Sequence, residues 1–350
     1  MHYPEHFKSN LINWFEINQR QMPWRETSNP YFIWVSEVML QQTQVNTVRS
    51  YYLNFIERFP TIEDLANADE DEVLKYWEGL GYYSRARNFH TAAKEVVKNH
   101  QGIIPIKPDV FKTLKGVGPY TQAAVMSIAF NHPLPTVDGN VFRVWSRLNN
   151  DTSDIALQTT RGKFEAELRP YVETDAGTFN QAMMELGALI CTPKNPLCMF
   201  CPVQTHCESF EQGSVLDLPI KTKKVKKVTA NYRVFLIKND RQEYVIEQRT
   251  ENLLSNMWQF PMHPTETSIQ TLKELYGDTF EVNDMKLGTI KHQFTHKTWV
   301  LDVYRARVDL KNFTLPNQYS AWLSPNNRDQ FTLPVAMTKI YEMYCKRNGE

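Results

Sequence analysis

Four cysteines within 17 residues constrain this 350-residue chain more tightly than any other feature of its sequence. Their spacing is Cys191-x6-Cys198-x2-Cys201-x5-Cys207. Structural zinc sites usually supply two closely spaced pairs of ligands, whereas only Cys198 and Cys201 are close neighbours here. The unequal gaps suit the four corners of a 4Fe-4S cluster better. We therefore expect all four cysteines to bind an iron–sulfur cluster, with a zinc ion as the alternative.

A disulfide pair is a third interpretation of these cysteines, and it requires an oxidising compartment. The N-terminal residues MHYPEHFKSN are polar and charged, without the apolar segment of a secretory signal. No run of the sequence approaches the roughly 18 apolar residues of a membrane span. We therefore expect a soluble, cytoplasmic protein. Cys345, which lies alone near the C-terminus, is expected to be an ordinary thiol and not a ligand. The formal net charge of +0 neither favours nor excludes nucleic acid, because a basic face can lie on a neutral chain.

The length of the chain predicts about two domains. Apolar residues recur at helical spacing through most of residues 30–210. The polar run Gln41–Gln44 interrupts the first of these stripes, so we expect it to divide residues 30–59 into two helices. Further helices are predicted at 71–78, 84–99, 119–130, 155–170 and 178–190.

A lysine-rich segment marks a change in periodicity. Five of the seven residues 221–227 are lysines, and residues 214–228 have the character of a linker, either a solvated tether or a contact for phosphate. Beyond it, β-branched and aromatic residues predict strands beside two helices, so we expect a small α+β domain over 229–350. The predicted strands are 232–237, 243–248, 287–293 and 299–307, and the predicted helices are 267–276 and 334–346.

A second informative segment is LKGVGPYTQAA, residues 114–124, in which a Gly-x-Gly turn runs directly into an apolar helix. Glycine permits positive φ, so Gly116 and Gly118 can bring backbone N–H groups together at the start of a helix. Such a helix N-terminus is suited to binding a phosphate group. Alone, this pattern is often only a turn.

The segment resembles the helix–hairpin–helix element of DNA repair glycosylases, which grips a phosphate of the DNA backbone. Asp138 follows Gly118 by twenty residues, where that superfamily has its catalytic aspartate, and the cysteines follow about fifty residues later. The resemblance implies a mainly α fold of two helical subdomains with a cleft between them. It divides residues 1–213 into a six-helix barrel with the hairpin (29–137) and a cluster subdomain (1–28 with 138–213).

Tyr120 distinguishes between the branches of this superfamily. The bifunctional lyases of the endonuclease III kind have a lysine there, which forms a Schiff base with the sugar, and a tyrosine cannot do so. The chain is therefore more similar to the MutY family of adenine glycosylases, and we expect hydrolysis without an obligatory lyase step. A pyrimidine-lesion glycosylase/lyase is the alternative. Further alternatives are a non-catalytic DNA-binding protein with a redox-sensing cluster and a ferredoxin-like electron carrier.

The similarity to the MutY family extends along the chain through MPWR (22–25), YFIWVSEVMLQQTQV (31–45), GLGYYSRA (79–86) and FNQAMMELG (179–187). It implies that Glu37 is the catalytic acid, and that Tyr120 and Asn140 help to hold Asp138 and a water molecule. It further implies the roles of residues that bind DNA or the base: Gln42 and Tyr82 wedge into the duplex, and Arg25, Gln181 and Glu37 line the adenine pocket.

Glu37 and Asp138 have complementary chemistry. Adenine leaves poorly as an anion, so Glu37 would protonate N7, provided that burial beside Trp34, Val38 and Met39 raises its pKa. The sugar then becomes positively charged, and Asp138 would stabilise it electrostatically or by a transient bond. The alternatives are a solvated helix carboxylate for Glu37 and an Asp-Gly turn for Asp138.

The C-terminal region resembles the Nudix-like module of this family, which inspects an 8-oxoguanine opposite the adenine. A Nudix hydrolase needs a glutamate-rich helix that binds metal, whereas residues 265–278 contain only two glutamates, Glu266 and Glu274. We therefore expect this module to bind the lesion without hydrolysing a substrate. The family's Phe-Ser-His loop is present as Phe294-Thr295-His296, which an ordinary strand end would also explain. Threonine retains the hydroxyl group.

The resemblance also implies the partner and the role of the cofactor. The partner is duplex DNA containing adenine opposite 8-oxoguanine or guanine, bound by a monomer that is associated with the nucleoid if the source is bacterial. The cluster is expected to order the loop 191–207, so that Lys194 can contact a phosphate group, and to take no part in bond breaking.

Overall fold

The computed structural model describes residues 6–222, 227–308, 313 and 315–346. The chain forms two compact units. The first unit comprises Met1–Ala68 and Asn88–Lys223, and the second comprises Asp69–Arg87 and Lys224–Glu350. Residues 223–226 of the predicted linker lie outside the described residues.

Helices dominate the chain up to residue 211. They are α1 (His6–Asn18), α2 (Pro30–Leu40), α3 (Val45–Arg58), α4 (Ile62–Asn67), α5 (Glu70–Tyr76), α6 (Ser84–His100), α7 (Pro108–Phe111), α8 (Pro119–Phe130), α9 (Gly139–Leu148), α10 (Gln158–Leu168), α11 (Ala176–Leu189) and α12 (Glu208–Glu211).

The predicted interruption of the first apolar stripe is confirmed, because α2 ends at Leu40 and α3 begins at Val45. The predicted helices at 71–78, 84–99, 119–130, 155–170 and 178–190 correspond to α5, α6, α8, α10 and α11. Helix α9 was not predicted. Asp138 and Gly139 suggested a turn, whereas the Asp138 side chain accepts a hydrogen bond from the backbone N–H of Val141 and so caps the start of a helix.

Close packing of helices positions the chemical groups of the first unit. Trp34 lies between Phe89 and Phe111, with ring centroids 4.9 Å and 4.8 Å away, which fixes the face of α2 that also bears Glu37. Helix α11 packs on α1, α8 and α9. A Cβ atom at Gly187 would lie 2.6 Å from Cβ of Asn140, so only glycine permits α11 to approach the start of α9 this closely.

Part of the predicted linker packs on the first unit and is not a solvated tether. Leu218 is buried, and its carbonyl accepts a hydrogen bond from Arg147 Nε at 3.0 Å. The backbone N–H of Ile155 donates to the carbonyl of Ile220 at 3.0 Å. An apolar side chain in this segment thus outweighs its polar composition.

The second unit contains a mixed sheet with strand order β3-β2-β1-β6-β5, in which β4 also pairs with β1 and β7 with β2. Strands β1 and β6 are parallel, and the other pairs are antiparallel. The elements are β1 (Val228–Lys238), β2 (Tyr244–Gln248), β3 (Trp258–Gln259), β4 (Met262–Pro264), α13 (Ile269–Tyr276), β5 (Glu281–Gln293), β6 (Lys297–Arg307), β7 (Ser320–Leu323) and α14 (Val335–Ile340).

The predicted architecture, a mainly helical region followed by a C-terminal α+β domain, is confirmed. The four predicted strands correspond to β1, β2, β5 and β6, and the two predicted helices to α13 and α14. Strands β3, β4 and β7 have two to four residues, too few for a period of two to be visible in the sequence. None of the helices in the described ranges is long and apolar enough to cross a membrane.

Candidate active site

One cavity of about 180 Å³ in the first unit brings together six residues that the sequence singled out. They come from five separate parts of the chain: the short 3-10 helix at Pro23–Arg25, α2, the first turn of α8, the start of α9, and α11. The six residues are Arg25, Glu37, Tyr120, Asp138, Asn140 and Gln181. Packing of the helices thus assembles groups that are far apart in the sequence.

Glu37 lies in this cavity with only 5% of its surface exposed, which excludes a solvated helix carboxylate. Burial raises the pKa of Glu37 to about 7, against the opposing effects of a hydrogen bond from Tyr120 and the charge of Arg25, while the nearby Asp138 adds to the increase. Tyr120 Oη donates this hydrogen bond to Glu37 Oε2 at 2.6 Å. We had expected Tyr120 to hold Asp138, whereas its hydroxyl group contacts the acid.

Asp138 is held through both carboxylate oxygens. Oδ1 accepts from the backbone N–H of Val141 at 2.7 Å, and Oδ2 accepts from Asn140 Nδ2 at 3.0 Å. Burial raises the pKa of Asp138, and these hydrogen bonds and the charge of Arg143 oppose the increase. The position at a helix N-terminus also favours a negative charge.

Glu185 was not assigned a role from the sequence, although it lies within the FNQAMMELG segment. It accepts hydrogen bonds from Arg20 Nη2 at 2.8 Å and from Arg25 Nη2 at 3.0 Å. Burial alone would raise the pKa of Glu185, but the hydrogen bonds from Arg20 and Arg25 outweigh it and lower the pKa to about 2. This carboxylate therefore fixes Arg25 on the wall of the cavity.

Arg143 is a second residue that the sequence did not reveal. Its Nε donates to the carbonyl of Cys191 at 2.8 Å, and its Nη2 donates to Asn140 Oδ1 at 2.9 Å and to the carbonyl of Gly187 at 2.7 Å. Because Asn140 in turn donates to Asp138, Arg143 connects the cysteine segment to the carboxylate in the cavity. Two arginines four residues apart, Arg143 and Arg147, among the apolar residues of 141–148 were the available signal.

Arg147, one turn further along α9, is almost fully buried beside the cysteines. Its Nη1 donates to Cys191 Sγ at 3.3 Å and to the carbonyl of Thr192 at 2.8 Å, and its Nη2 donates to the carbonyl of Pro193 at 3.1 Å. The guanidinium group therefore organises the first part of the cysteine segment.

All four cysteines line one cavity whose wall is mostly apolar. Within the described part of the chain, no three His, Cys, Asp or Glu side chains converge on a site for a single metal ion. Four thiols spaced around a cavity are the donor set of an iron–sulfur cluster, which is wider than one ion. The four thiols on one cavity wall are therefore compatible with that group. The cavity is lined by Val144, Arg147, Leu148, Leu186, Ile190, Cys191, Cys198, Cys201, Val203, Gln204, Cys207, Phe210 and Val215.

The hairpin glycines differ from each other in conformation. Gly116 has φ of 79°, and a Cβ atom there would lie 2.7 Å from Cβ of Asn88, so this position requires glycine. Gly118 caps α8 with φ of −89°, which any residue can adopt, so positive φ was wrongly expected there.

The two predicted wedge residues both have left-handed backbone conformations, with φ of 57° at Gln42 and 49° at Tyr82. Gln42 lies exposed in the turn between α2 and α3 of the first unit. Tyr82 lies in the second unit, in the turn before α6, and 46% of its surface is exposed. Left-handed backbone at residues other than glycine is strained and concentrates at functional sites.

The predicted reader loop, Phe294-Thr295-His296, forms the turn between β5 and β6. Phe294 packs on Trp299 and His292, with centroids 4.8 Å and 4.6 Å away, while Thr295 and His296 are exposed. Within the second unit, this loop and the turn at Tyr82 line one cavity of about 340 Å³.

Comparison with known proteins identifies both parts of the chain. Residues 35–171 match the HhH-GPD superfamily of base excision DNA repair proteins, and residues 233–343 match the NUDIX domain. The adenine DNA glycosylase of Buchnera aphidicola subsp. Schizaphis graminum (strain Sg) is 33% identical over 97% of this chain and 98% of the relative. The adenine DNA glycosylase of Mus musculus is 31% identical over 97% of this chain and 78% of the relative. The chain belongs to the adenine DNA glycosylase family.

Membership of the adenine DNA glycosylase family confirms the predicted resemblance and makes this protein a DNA N-glycosylase of base excision repair. A solved structure, that of a thermostable thymine-DNA glycosylase, covers 59% of this chain and 95% of its own with a TM-score of 0.55 and 29% identity. The helical fold is therefore that of the wider glycosylase superfamily.

Proposed function

We propose that this glycosylase hydrolyses adenine from mispairs with 8-oxoguanine or guanine in duplex DNA, without an obligatory cleavage of the strand. The observation that supports this most directly is the cavity in which buried Glu37, with a pKa of about 7, and capped Asp138 lie together. Cleavage of a glycosidic bond by two carboxyl groups requires one of them to be a protonated acid and the other an anion, so their environments must differ.

Glu37 is the general acid. Its raised pKa leaves a large fraction of the carboxyl group protonated near neutral pH, so that it can transfer a proton to N7 of the extruded base. The hydrogen bond from Tyr120 orients the carboxyl group. Tyr120 has no amine to attack the sugar, which favours hydrolysis over a Schiff-base mechanism.

Asp138 stabilises the positive charge that develops on the sugar as the bond breaks. Its two oxygens are held by Asn140 and by the N-terminus of α9, so the carboxylate needs little reorganisation at the moment of reaction. The family resemblance adds a retaining course, in which Asp138 forms a transient bond to the sugar and water then releases it.

Recognition of the extruded adenine falls to Arg25 and Gln181 on the cavity wall. Arg25 is fixed by Glu185, and Gln181 Nε2 donates to the carbonyl of Gly177 at 3.3 Å, which leaves its side-chain oxygen as an acceptor. A donor and an acceptor at fixed positions suit the polar edge of adenine.

The base opposite the adenine is read by the second unit. Thr295 and His296 are exposed at the end of a hairpin whose Phe294 is anchored on Trp299. A hydroxyl group and an imidazole can both contact the changed edge of 8-oxoguanine. Gln42 and Tyr82 fill the space that the extruded base leaves.

Cys191, Cys198, Cys201 and Cys207 would hold a 4Fe-4S cluster in the segment that contacts Arg143 and Arg147. When bound, the cluster would cross-link and so order this segment, while the bond breaking is assigned to Glu37 and Asp138. Arg143 then holds Asn140, and Lys194 contacts a phosphate group of the DNA.

The substrate is duplex DNA. The N-terminus of α8, with Gly116 and Gly118 before it, binds a backbone phosphate through backbone N–H groups. We infer that the protein acts as a monomer in the cytoplasm, at the nucleoid in a bacterium.

Four duplexes test the proposal, with adenine opposite 8-oxoguanine, guanine, thymine and cytosine. We expect release of free adenine from the first two, with strand scission only after alkali. Glu37→Gln should lower the rate by at least about a hundredfold while leaving binding to the duplex intact. Scission without alkali, or a protein–DNA complex trapped by borohydride, would instead support the endonuclease III-type lyase.

A further inference from the structure

The turn with Tyr82 belongs to the second unit and is attached there by an ion pair. Glu78 Oε1 accepts hydrogen bonds from Arg328 Nη2 at 2.5 Å and from the backbone N–H of Leu333 at 3.3 Å. Its other oxygen, Oε2, accepts from Lys75 Nζ at 2.7 Å. Glu78 lies four residues before Tyr82, so this attachment fixes one end of the turn.

The ion pair is mostly shielded from water, because the side chains of Glu78 and Arg328 are each 15% exposed. Arg328 is also oriented from other directions, since its Nη1 donates to the carbonyl of Phe331 at 2.7 Å and its guanidinium lies 5.6 Å from the ring centroid of Tyr341. Removing one member of such a pair leaves an uncompensated buried charge. The pair is therefore a fixed structural link and not a fluctuating surface contact.

Two further hydrogen bonds attach the segment on either side of the turn. Asn256 Nδ2 donates to Glu70 Oε1 at 2.9 Å, at the start of α5. Arg87 Nη1 donates to the carbonyl of Ser255 at 2.8 Å, in the first turn of α6. Segment 69–87 is thus attached to the C-terminal part of the chain before, within and after the turn.

The turn itself is internally rigid between Glu78 and Tyr82. Trp77 Nε1 and Arg85 Nη2 both donate to the carbonyl of Gly81, at 3.2 Å and 3.0 Å. The Arg85 guanidinium lies 5.5 Å from the centroid of the Tyr82 ring. These contacts maintain the strained left-handed backbone at Tyr82, so a displacement of Glu78 is transmitted to the Tyr82 ring.

The reader loop lies on the same cavity as this turn. Tyr82 and Arg87 line the cavity from one side, and Phe294, Thr295 and His296 line it from another. Pro334, which follows the Leu333 that donates to Glu78, also lines it. The Glu78–Arg328 pair is therefore the attachment that lies nearest in sequence before the wedge residue and connects it to the frame of the reader loop.

We propose that Glu78 and Arg328 are positioning residues that fix Tyr82 at a set distance from Phe294-Thr295-His296, and that this spacing determines the preference for the base opposite adenine. The inference rests on the proposed function of the second unit. With the spacing fixed, Tyr82 can enter the duplex only where the reader loop is in register with the opposite base. Without the pair, the remaining hydrogen bonds of Glu70 and Arg87 hold the spacing less tightly and discrimination falls.

The test is the ratio of single-turnover rates of adenine release from duplexes with 8-oxoguanine and with guanine opposite the adenine. The variants are Arg328→Met, Glu78→Met, the double variant and the conservative Arg328→Lys. We expect each single methionine variant to lower the ratio by about fivefold, and the double variant to lower it no further, because the two residues act as one unit. Arg328→Lys keeps the positive charge beside Glu78 but not all the contacts with Phe331 and Tyr341, so it should retain more of the ratio than Arg328→Met. Arg241→Met, which replaces an exposed arginine of the second unit outside this network, is the matched control.

A ratio is used because a general loss of folded protein lowers both rates equally. The fluorescence of 2-aminopurine placed beside the mispair reports insertion of Tyr82, and it should change in the methionine variants and change less in Arg328→Lys. Wild-type protein that releases adenine from both duplexes without any preference would refute the reading of the opposite base by the second unit, while leaving the proposed glycosylase activity intact. Wild-type preference that both methionine variants retain would overturn the positioning role, and so would equal loss of both rates. If Arg328→Met does not fold, the same ratio of rates measured in Glu78→Met and Arg328→Lys provides the test of the positioning role.

Discussion

Tyr120 donates a hydrogen bond of 2.6 Å to Glu37, a residue 83 positions earlier in the chain. The bond opposes the effect of burial on Glu37 and leaves its pKa at about 7. An acid is most effective when its pKa lies near the working pH, because it is then both protonated and a good donor. Tyr120 therefore tunes the acid as well as orienting it.

Replacement of Tyr120 by phenylalanine should shift the pH dependence of the reaction. The wild-type rate should fall as the pH rises through about 7, because Glu37 loses its proton. Loss of the hydrogen bond removes an effect that lowers this pKa, so in Tyr120→Phe the decline should begin at a higher pH. Single-turnover rates of adenine release across the pH range measure this. A decline at an unchanged pH would show that another group limits the rate.

Glu37 should also reduce the stability of the folded protein at high pH. Its pKa rises from 4.5 to about 7 on folding. The contribution of Glu37 to the free energy of unfolding is therefore fully favourable below pH 4.5 and is lost as the pH rises through about 7. Glu37→Gln stays neutral, so at about pH 8 it should be more stable than the wild type by about 2–3 kcal/mol, with the difference disappearing near pH 4.5. Urea unfolding at both pH values, with the exposed Glu16→Gln as control, measures this. A difference independent of pH would contradict it.

Arg143→Lys should slow the reaction although the residue lies behind the site. Lysine keeps the charge but cannot contact Cys191, Asn140 and Gly187 together as the guanidinium does. Loosening Asn140 should release Asp138 and lower the single-turnover rate by about tenfold or more. Exposed Arg169→Lys is the control. An unchanged rate would mean that the capping bond from Val141 suffices to hold Asp138.

Cys198→Ser should impair folding and DNA affinity before it impairs chemistry, because the cysteine segment lies outside the cavity of Glu37 and Asp138. Iron content, the free energy of unfolding and binding to an uncleavable duplex should all fall. Cys345→Ala, which alters a cysteine of the second unit, should retain the iron. A purified Cys198→Ser protein with normal iron content would remove this residue from the ligand set.

Thr295→Ala should reduce the preference for 8-oxoguanine over guanine opposite adenine, because it removes the hydroxyl group at the exposed end of the reader loop. One hydrogen bond corresponds to a loss of about fivefold to tenfold in this preference. Comparing the two duplexes in the same preparation controls for folding. An equal preference in the variant and the wild type would exclude a role for the threonine hydroxyl.

Short-range features could be predicted well from the sequence. The interruption at Gln41–Gln44, the turn at Gly116 and the strands β1, β2, β5 and β6 depend on residues close together in the chain. Helix α9 could not be predicted in this way, because an Asp-Gly pair is equally suited to a turn and to a helix cap.

The sequence by itself determined which groups are available: an Asp twenty residues after Gly118, a tyrosine in place of the lyase lysine, and four cysteines at unequal spacing. Only the tertiary structure decided which of them meet. The contacts of Glu37 with Tyr120, of Glu185 with Arg20 and Arg25, and of Arg143 with Cys191 join residues 48 to 165 positions apart. Such pairs depend on how helices pack, and the pKa of each group depends on the burial that packing creates.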